Sequence, residues 1–479
     1  MTNFSGKNLN VACDGPKGGG MDSRRNALEQ VVPVGYKQTE VGVIPEDWNL
    51  SNIKDISLVP MQNGLFYEPK RKGSGIPLIN VADMYKSAPI DKSSLELFEA
   101  TLNEKKSFRV NSGDLFFTRS SVVPSGIAFC NIFEEDNAEV VFDSHLIRVR
   151  PNTKIVDARF LYLNCIAKHS RNALIAEAKT ATMTTIDQSA INRCPVLVPP
   201  LKEQTAIANA LSDVDALLTE LEKLIAKKQA IKTATMQQLL TGKTRLPQYA
   251  TYTEGEKQGQ PKGTKPSELG EIPEDWDVYK LPDVVWYQEG PGLRKWQFKT
   301  KGLKVINVTN LQQNGFLDLD KTDRHVSWDE YEKTYKHFAC DEGDLVIASS
   351  GNSYCKSSTV RKCDLPLLMN TSVIRFKPVG DFSKGFMDVY LKSPYFKDQI
   401  DLLITGGAQP NFGPAHLDKI KIPAPSNPEE QTAIATILSD MDNEIQTLEQ
   451  RLAKTRQIKQ GMMQELLTGR IRLPFDKEQ

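Results

Sequence analysis

The chain repeats itself, and the repeat limits its possible folds more than any other feature. Glu203 to Pro247 reads EQTAIANALSDVDALLTELEKLIAKKQAIKTATMQQLLTGKTRLP, and Glu430 to Pro474 reads EQTAIATILSDMDNEIQTLEQRLAKTRQIKQGMMQELLTGRIRLP. The offset is a constant 227 residues, and 25 of the 45 aligned positions are identical. Such a period is too long for a solenoid, so the chain is a doubled half and not an array. The rest of each half echoes more faintly. VGVIPEDW ending at Trp48 matches LGEIPEDW ending at Trp276, and Ile79-Asn80-Val81 matches Ile306-Asn307-Val308. Gly113-Asp114-Leu115 matches Gly343-Asp344-Leu345, and Ile147-Arg148 with Pro151 matches Ile374-Arg375 with Pro378. Between these anchors the halves share little. Each half is therefore a variable head followed by a nearly fixed segment.

The fixed segments carry helical periodicity. Ile207, Leu211, Val214, Leu218, Leu221 and Ile225 are spaced 4-3-4-3-4, and Ile434, Leu438, Met441, Ile445, Leu448 and Leu452 keep the same spacing. That is the a/d seam of a coiled coil, and these twelve residues are the expected helix-pairing set. The seam weakens at Lys228 and Thr455. Pro200 and Pro428 sit at helix starts, with Glu203, Glu429 and Glu430 in the first turn where the macrodipole favours them. Gly242 and Gly469 suit the residue after a helix end, and Pro247 and Pro474 block continuation. From Glu203 to Leu240 the helix is about 57 Å long, at roughly 1.5 Å per residue. Asp213, Asp215, Asp440 and Asp442 fall in the heptad gaps, where a solvated face is expected and a metal site is not.

The heads read as mixed α/β. Short β-rich runs recur at Leu115 to Thr118, Leu146 to Val149, Leu345 to Ala348 and Val373 to Phe376, with Gly, Pro and Asn punctuation between them. Helical stretches near Phe160 to Lys179 and Phe386 to Leu403 interrupt them. The expected domains are an N-terminal extension over 1–35, expected to be disordered, a first head over 36–199 and a first helical region over 200–247. A linker over 248–265, a second head over 266–426, a second helical region over 427–474 and a tail over 475–479 complete them. The expected class is α+β: two mixed α/β heads separated by two long helices that form an antiparallel coiled coil, with internal pseudo-twofold symmetry.

Composition excludes several functions. Lys+Arg and Asp+Glu both number 60, so a globally basic nucleic-acid coat is excluded and any DNA contact must come from local patches. No stretch approaches a membrane span, and no apolar signal segment opens the chain. The seven Cys form no C-x-x-C pair and read as free thiols of a reducing cytoplasm. The five His show no H-E-x-x-H, and no metal site is expected. Gly242-Lys243-Thr244 mimics the end of a P-loop, but the required upstream Gly falls at Gln237, so the phosphate cradle is missing. No G-x-S-x-G elbow, dinucleotide fingerprint or methyltransferase tetrapeptide is present. No catalytic residue is expected, and variable heads on constant stalks suggest recognition.

The blocks PPL-x-EQTAIANALSDVDALL…MQQLLTGKTRLP and PEEQTAIATILSDMD…MMQELLTGRIRLP, with the IPEDW boxes before them, resemble the specificity subunit of type I restriction-modification systems. The resemblance spans roughly residues 36 to 474. It implies two target recognition domains, each followed by a conserved helical region, whose helices pair antiparallel as a spacer and dock two methyltransferase subunits. Restriction subunits with nuclease and translocase activity would join them in a phage-defence complex. The chain itself would hold no cofactor. S-adenosylmethionine, ATP and magnesium ions are expected on the partner subunits, and no membrane partner is expected. Residues 1–35 match nothing in the family pattern and receive no role.

Phosphate contacts supply affinity and base-edge contacts supply sequence, with Arg matching guanine and Asn or Gln matching adenine. In the first head the candidates are Lys70, Arg71 and Lys72, Arg119 after the GDL strand, and Lys179, Thr182, Thr184 and Gln188. In the second they are Arg294, Lys295 and Gln297, then Ser349 and Asn352, then Gln409 and Asn411. The resemblance favours the segment after GDL and the loop before each conserved helix. An isolated basic cluster is equally a solvated face. Trp296 reads as core before stacking residue, Trp48 and Trp276 as packing residues, and Arg148 and Arg375 as a shared structural or phosphate role. Gln204, Gln238, Gln431 and Gln464 are open to facing a partner or plain solvent. The competing function is a coiled-coil scaffold whose heads bind something other than DNA, or a recognition subunit in a complex that only methylates.

Overall fold

The computed structural model describes residues 32–86, 88–136, 139–180, 183–312, 315–404 and 410–474. The N-terminal extension up to residue 31, Thr182 and Gln409 lie outside the described residues. The chain is α+β and divides into two compact units, Met1–Ser212 with Lys459–Gln479, and Asp213–Ile458. Each unit holds one head and stretches of both long helices.

In the first head a four-stranded sheet runs in the order Gln62–Asn63, Leu146–Val149, Leu115–Thr118, Cys130–Ile132. In the second the order is Val285–Glu289, Val373–Pro378, Leu345–Ala348, Ser357–Thr359. The central strands LFFT and LVIA are buried along their whole length, which suits their unbroken apolar runs. The GDL box explains how the chain enters them. Gly113 and Gly343 take left-handed φ values of 86° and 83°, which glycine adopts without a Cβ penalty. The following Asp closes its own turn: Asp114 Oδ2 accepts from Asn111 N and Asp344 Oδ2 from Asp341 N, each at 2.8 Å. Beside this sheet, a three-stranded sheet in each head carries one parallel pairing, Leu78 with Val141 in the first and Lys304 with Leu367 in the second.

Arg148 and Arg375 do the same internal work. The Arg148 guanidinium donates to Arg109 O at 3.0 Å and Gln62 Oε1 at 2.9 Å, and Arg375 donates to Ala339 O and to Gln288 Oε1 at 2.9 Å. They tie the sheet to its flanking loop. Both are buried, so of the two roles left open for them the structural one fits.

The long helices span Leu201–Leu240 and Pro428–Leu466. Gly242 and Gly469 follow them with φ of 67° and 71°, the conformation expected at a helix end. All twelve seam residues are buried or half-buried. They do not all serve one contact. Ile207 and Leu211 enter the first head's core beside Leu466 and Leu467, and Ile434 and Leu438 enter the second head's core beside Leu239 and Leu240. These four bury against a head as well as against a helix, because the first turns of each helix lie on the head that precedes it. Within the second unit the helices also carry cross-links: Lys228 to Glu444 at 2.7 Å, Lys232 to Asp442, and Arg456 to Glu222 at 2.6 Å. As the first helix advances from 222 to 232, its partners descend from 456 to 442.

The stretch expected to be a linker is fastened down. Thr264–Ser267 pairs with Gly270–Pro273, and Lys262 Nζ sits 2.8 Å from Asp275 Oδ2. Among the described residues no helix is long and apolar enough to cross a membrane, and no group of three or more His, Cys, Asp or Glu is placed to hold a metal ion.

Candidate nucleic-acid interface

The strand after GDL ends at one edge of each head, and there it meets a segment from just before the long helix. In the first head, Arg119 N donates to His145 O at 2.8 Å, and Arg119 O accepts from Ile186 N at 3.0 Å. Ser120 and Ser121 then pair with Thr185 and Thr184, which pair with Lys179 and Thr180. The product is a narrow ribbon of small hydroxyl residues. In the second head the same joints recur: Ser349 N donates to Ser372 O at 2.9 Å, Phe412 N to Ser349 O at 3.0 Å, and Ser350 bridges to Asn411.

Arg119 is exposed, with no side-chain partner among the described residues, and Lys179 is 84% exposed, 3.7 Å from Asp187. Gln188 opens a short helix whose cap is Asp187, and its Nε2 donates to Asn63 Oδ1 at 2.6 Å. Thr184 is buried, its Oγ1 3.3 Å from Thr180 Oγ1, so it supports the ribbon instead of facing out. Asn63 and exposed His145 join this edge, with His145 Nδ1 2.8 Å from Asp143 Oδ1. Neither lies in a basic cluster or a repeated motif, so no sequence signal pointed to them.

Other candidates are placed differently. Arg71 donates to Glu99 O at 2.9 Å and to Glu104, and lies 4.6 Å from the Phe98 ring centroid. Its hydrogen bond is the main reason the Glu104 carboxyl is held down at about 2. Arg71 is therefore a strut of the head. Lys72 pairs with Glu96 at 2.8 Å, and Lys70 is exposed. In the second head Gln297 is buried, accepting from Arg294 N at 2.7 Å and donating to Tyr335 Oη at 2.8 Å, so it too is scaffold. Ser349 is fully buried with an unpartnered Oγ and cannot reach a groove. Arg294, Lys295, Asn352 and Asn411 are exposed. Trp296, read as core, is 73% exposed, because the turn that carries it buries Gln297 instead.

A second arrangement joins the repeated motifs in each unit. In the first, Arg472 Nε donates to Glu203 Oε1 and Arg472 Nη1 to Asp47 Oδ1, both at 2.8 Å, while Trp48 Nε1 donates to Glu203 Oε2 at 3.0 Å. In the second, Arg245 Nε donates to Glu430 Oε1 at 2.8 Å and Nη1 to Asp275 Oδ1 at 2.7 Å. Trp48 and Trp276 are fully buried at these joints. A Cβ on Gly469 would come within 2.6 Å of Pro45, and one on Gly242 within 2.4 Å of Pro273. The hydrogen bond to Glu203 is the largest influence raising the Arg472 pKa. Burial opposes the charge on Asp275, yet Arg245 and Lys262 outweigh it and hold that carboxyl below its ordinary range. Gln204 and Gln431 belong to the same joints and face no partner: each is buried, its amide donating at 2.8 Å to Pro199 O or Pro425 O. IPEDW, EQ and RLP were visible as repeats, but their meeting was not.

The family model for the type I restriction modification DNA specificity domain matches residues 45–233 and again 273–457. The type I restriction enzyme MjaVIII specificity subunit of Methanocaldococcus jannaschii is 29% identical over 337 residues, covering 70% of this chain and 75% of that protein. The putative MjaX specificity subunit of the same organism is 26% identical over 448 residues, covering 91% and 97%. Among solved structures, the type I restriction-modification S subunit from M. genitalium superposes with a TM-score of 0.54 at 14% identity, covering 88% of this chain and 96% of that one.

Proposed function

Because the chain belongs to the type I restriction modification DNA specificity family, we propose that it is the sequence-reading subunit of a type I restriction-modification complex. Each head reads one part of a bipartite, asymmetric DNA site. The two long helices pair antiparallel as a coiled coil related by a pseudo-twofold axis, set the gap between the parts, and dock two methyltransferase subunits. Restriction subunits complete the assembly in the cytoplasm. The chain performs no chemistry itself: S-adenosylmethionine, ATP and magnesium ions belong to the partners, and the target base is flipped into a methyltransferase pocket.

The observation that carries this reading is the edge shared by both heads. One backbone arrangement joins the post-GDL segment to the pre-helix segment twice, while the exposed side chains differ, Arg119 and Lys179 in one head and Asn352 and Asn411 in the other. A common frame with unlike side chains suits two readers of unlike half-sites. The reversed order of Lys228–Glu444, Lys232–Asp442 and Glu222–Arg456 supports the antiparallel spacer.

Methylome sequencing of cells carrying the gene with its neighbours tests the proposal. A modified word in two unlike parts with a fixed gap is expected. One heptad added to both helices lengthens the stalk by about 10 Å and the gap by roughly three base pairs. A single uninterrupted word, or a gap unchanged by the insertion, defeats it.

A further inference from the structure

We infer that the first head recognises thymine in its half-site through an apolar tip formed by Val122, Val123 and Met183, which touches the C5 methyl group in the major groove. This rests on the DNA-reading function proposed above. The tip continues the hydroxyl ribbon. The pairing ends at Ser121 opposite Thr184, and Val122 and Met183 are the residues next to that last pair on the two strands. Val122 is 82% exposed, Val123 55% and Met183 44%. Three apolar side chains held in water at the end of a polar ribbon need a reason, since burying them elsewhere would be favourable.

The loop is built to keep them there. The Arg171 guanidinium reaches under it and donates to Ser125 O at 2.9 Å, Ile127 O at 2.7 Å and Ala128 O. Tyr85 Oη donates to Gly126 O at 3.3 Å, Val123 N donates to Ser121 Oγ at 3.3 Å, and Pro124 fixes the backbone between them. Five contacts hold the backbone from Val123 to Ala128 in place beside Val122. A tip ordered in advance binds without the entropy cost of ordering it.

The surroundings select the occupant. A stable protein interface buries about 800 Å² on each partner, far beyond three side chains. Arg119 and Lys179 place positive charge at the other end of the same ribbon, beside the Ser120–Thr185 pair, and Ser120, Thr180 and Thr185 offer hydroxyls. Basic flanks for phosphates, hydroxyls for either kind of base edge and a methyl-sized apolar contact match a groove that presents thymine. The second head offers a contrast at the same distance beyond its GDL box: Asn352, exposed, whose amide suits adenine.

The test uses the full chain in complex with its methyltransferase subunits, and a duplex bearing the bipartite word found by methylome sequencing. Each thymine is replaced in turn by deoxyuridine, which removes only the C5 methyl, and the Kd is measured at one salt concentration. The expected result is a loss of about fourfold at one or more thymines, the value of one methyl group returned to water. The Val122→Ser, Val123→Ser double variant binds the thymine duplex more weakly and does not distinguish the two duplexes at that position. Both residues are exposed, so the variant folds. A word without thymine, uniform indifference to deoxyuridine, or a double variant that keeps the discrimination overturns the inference. So does a variant that loses affinity equally on both duplexes, which marks a wedge between base steps. Absence of any sequence-dependent binding by the wild-type complex removes the function and the inference together.

Discussion

The two heads are alike where they are held and unlike where they face outward. At the joints, Arg472 with Glu203 and Asp47 repeats as Arg245 with Glu430 and Asp275. At the outer edge, the connection between the post-GDL strand and the next strand of the four-stranded sheet runs from Arg119 to Ile127 in the first head and from Ser349 to Tyr354 in the second. Ala128 and Cys355 are the matched residues that close it, donating to Thr118 O and Ala348 O. The loops therefore hold nine residues, 119–127, and six, 349–354. The joints repeat residue for residue, while the outer loops differ in both length and side chains.

The joints are nearly equivalent, and the difference at their indoles is the sharpest way to break the comparison. Glu203 is held by Arg472 and by the Trp48 indole, whereas the Trp276 indole nitrogen is buried without a partner and Glu430 relies on Arg245. Removing one partner of a buried pair leaves an uncompensated charge. Arg245→Ala is expected to destabilise the second unit by about 3–5 kcal/mol, and Arg472→Ala to destabilise the first by less. Scanning calorimetry with hydrogen exchange resolved by unit measures both; equal losses would mean that the indole bond carries nothing.

The glycines come next. Gly242→Ala and Gly469→Ala each force a Cβ against a proline and a non-glycine residue into left-handed backbone. A loss of about 2 kcal/mol is expected for each, read from chemical denaturation, and a difference between them would show that the two joints close to different tightness. Trp48→Phe and Trp276→Phe delete the same N–H from both sides. The first is expected to cost about 1–2 kcal/mol more than the second, because only the Trp48 indole has an acceptor to lose.

The smallest effect separates the heads by pH. Glu104, held at about 2 by its hydrogen bond from Arg71, is a depressed carboxyl. Its contribution is complete above the unfolded value near 4.5 and disappears as pH falls through about 2. Arg71→Gln should flatten the acid limb of the first head's stability below about pH 4.5 and leave the second head unchanged, as followed by hydrogen exchange across an acid titration.

Much of the frame was legible in the sequence because it is local and doubled. The two long helices, the glycines that follow them and the GDL strands each follow from a short pattern with one physical meaning. The partners of charged and amide groups were not legible. Arg71, Gln297 and Ser349 stand in stretches that read as polar and outward, yet Arg71 is held by Glu99 and Glu104, Gln297 by Tyr335, and Ser349 is buried with its Oγ unpartnered. Asn63 and His145 reached the outer edge through strand neighbours, which periodicity does not encode. Gln204 and Gln431 recur in both halves, which marked them as shared; only their bonds to Pro199 and Pro425 showed that they serve the joint.

The arginine at the end of the chain has a bearing on how the molecule is made. Asp47 and Arg472 are 425 residues apart, and Tyr36 Oη donates to Gly469 O at 3.1 Å. A ribosome adding about 5–20 residues per second needs roughly 20–85 s to travel from one to the other. Once Glu203 has been made, 269 further residues must follow before Arg472 completes its joint, whereas Arg245 emerges before Asp275 and Glu430 and the second unit can close as it is synthesised. A truncation that removes Gly469 to Arg472 is thus felt more than 400 residues upstream, at Tyr36 and Asp47.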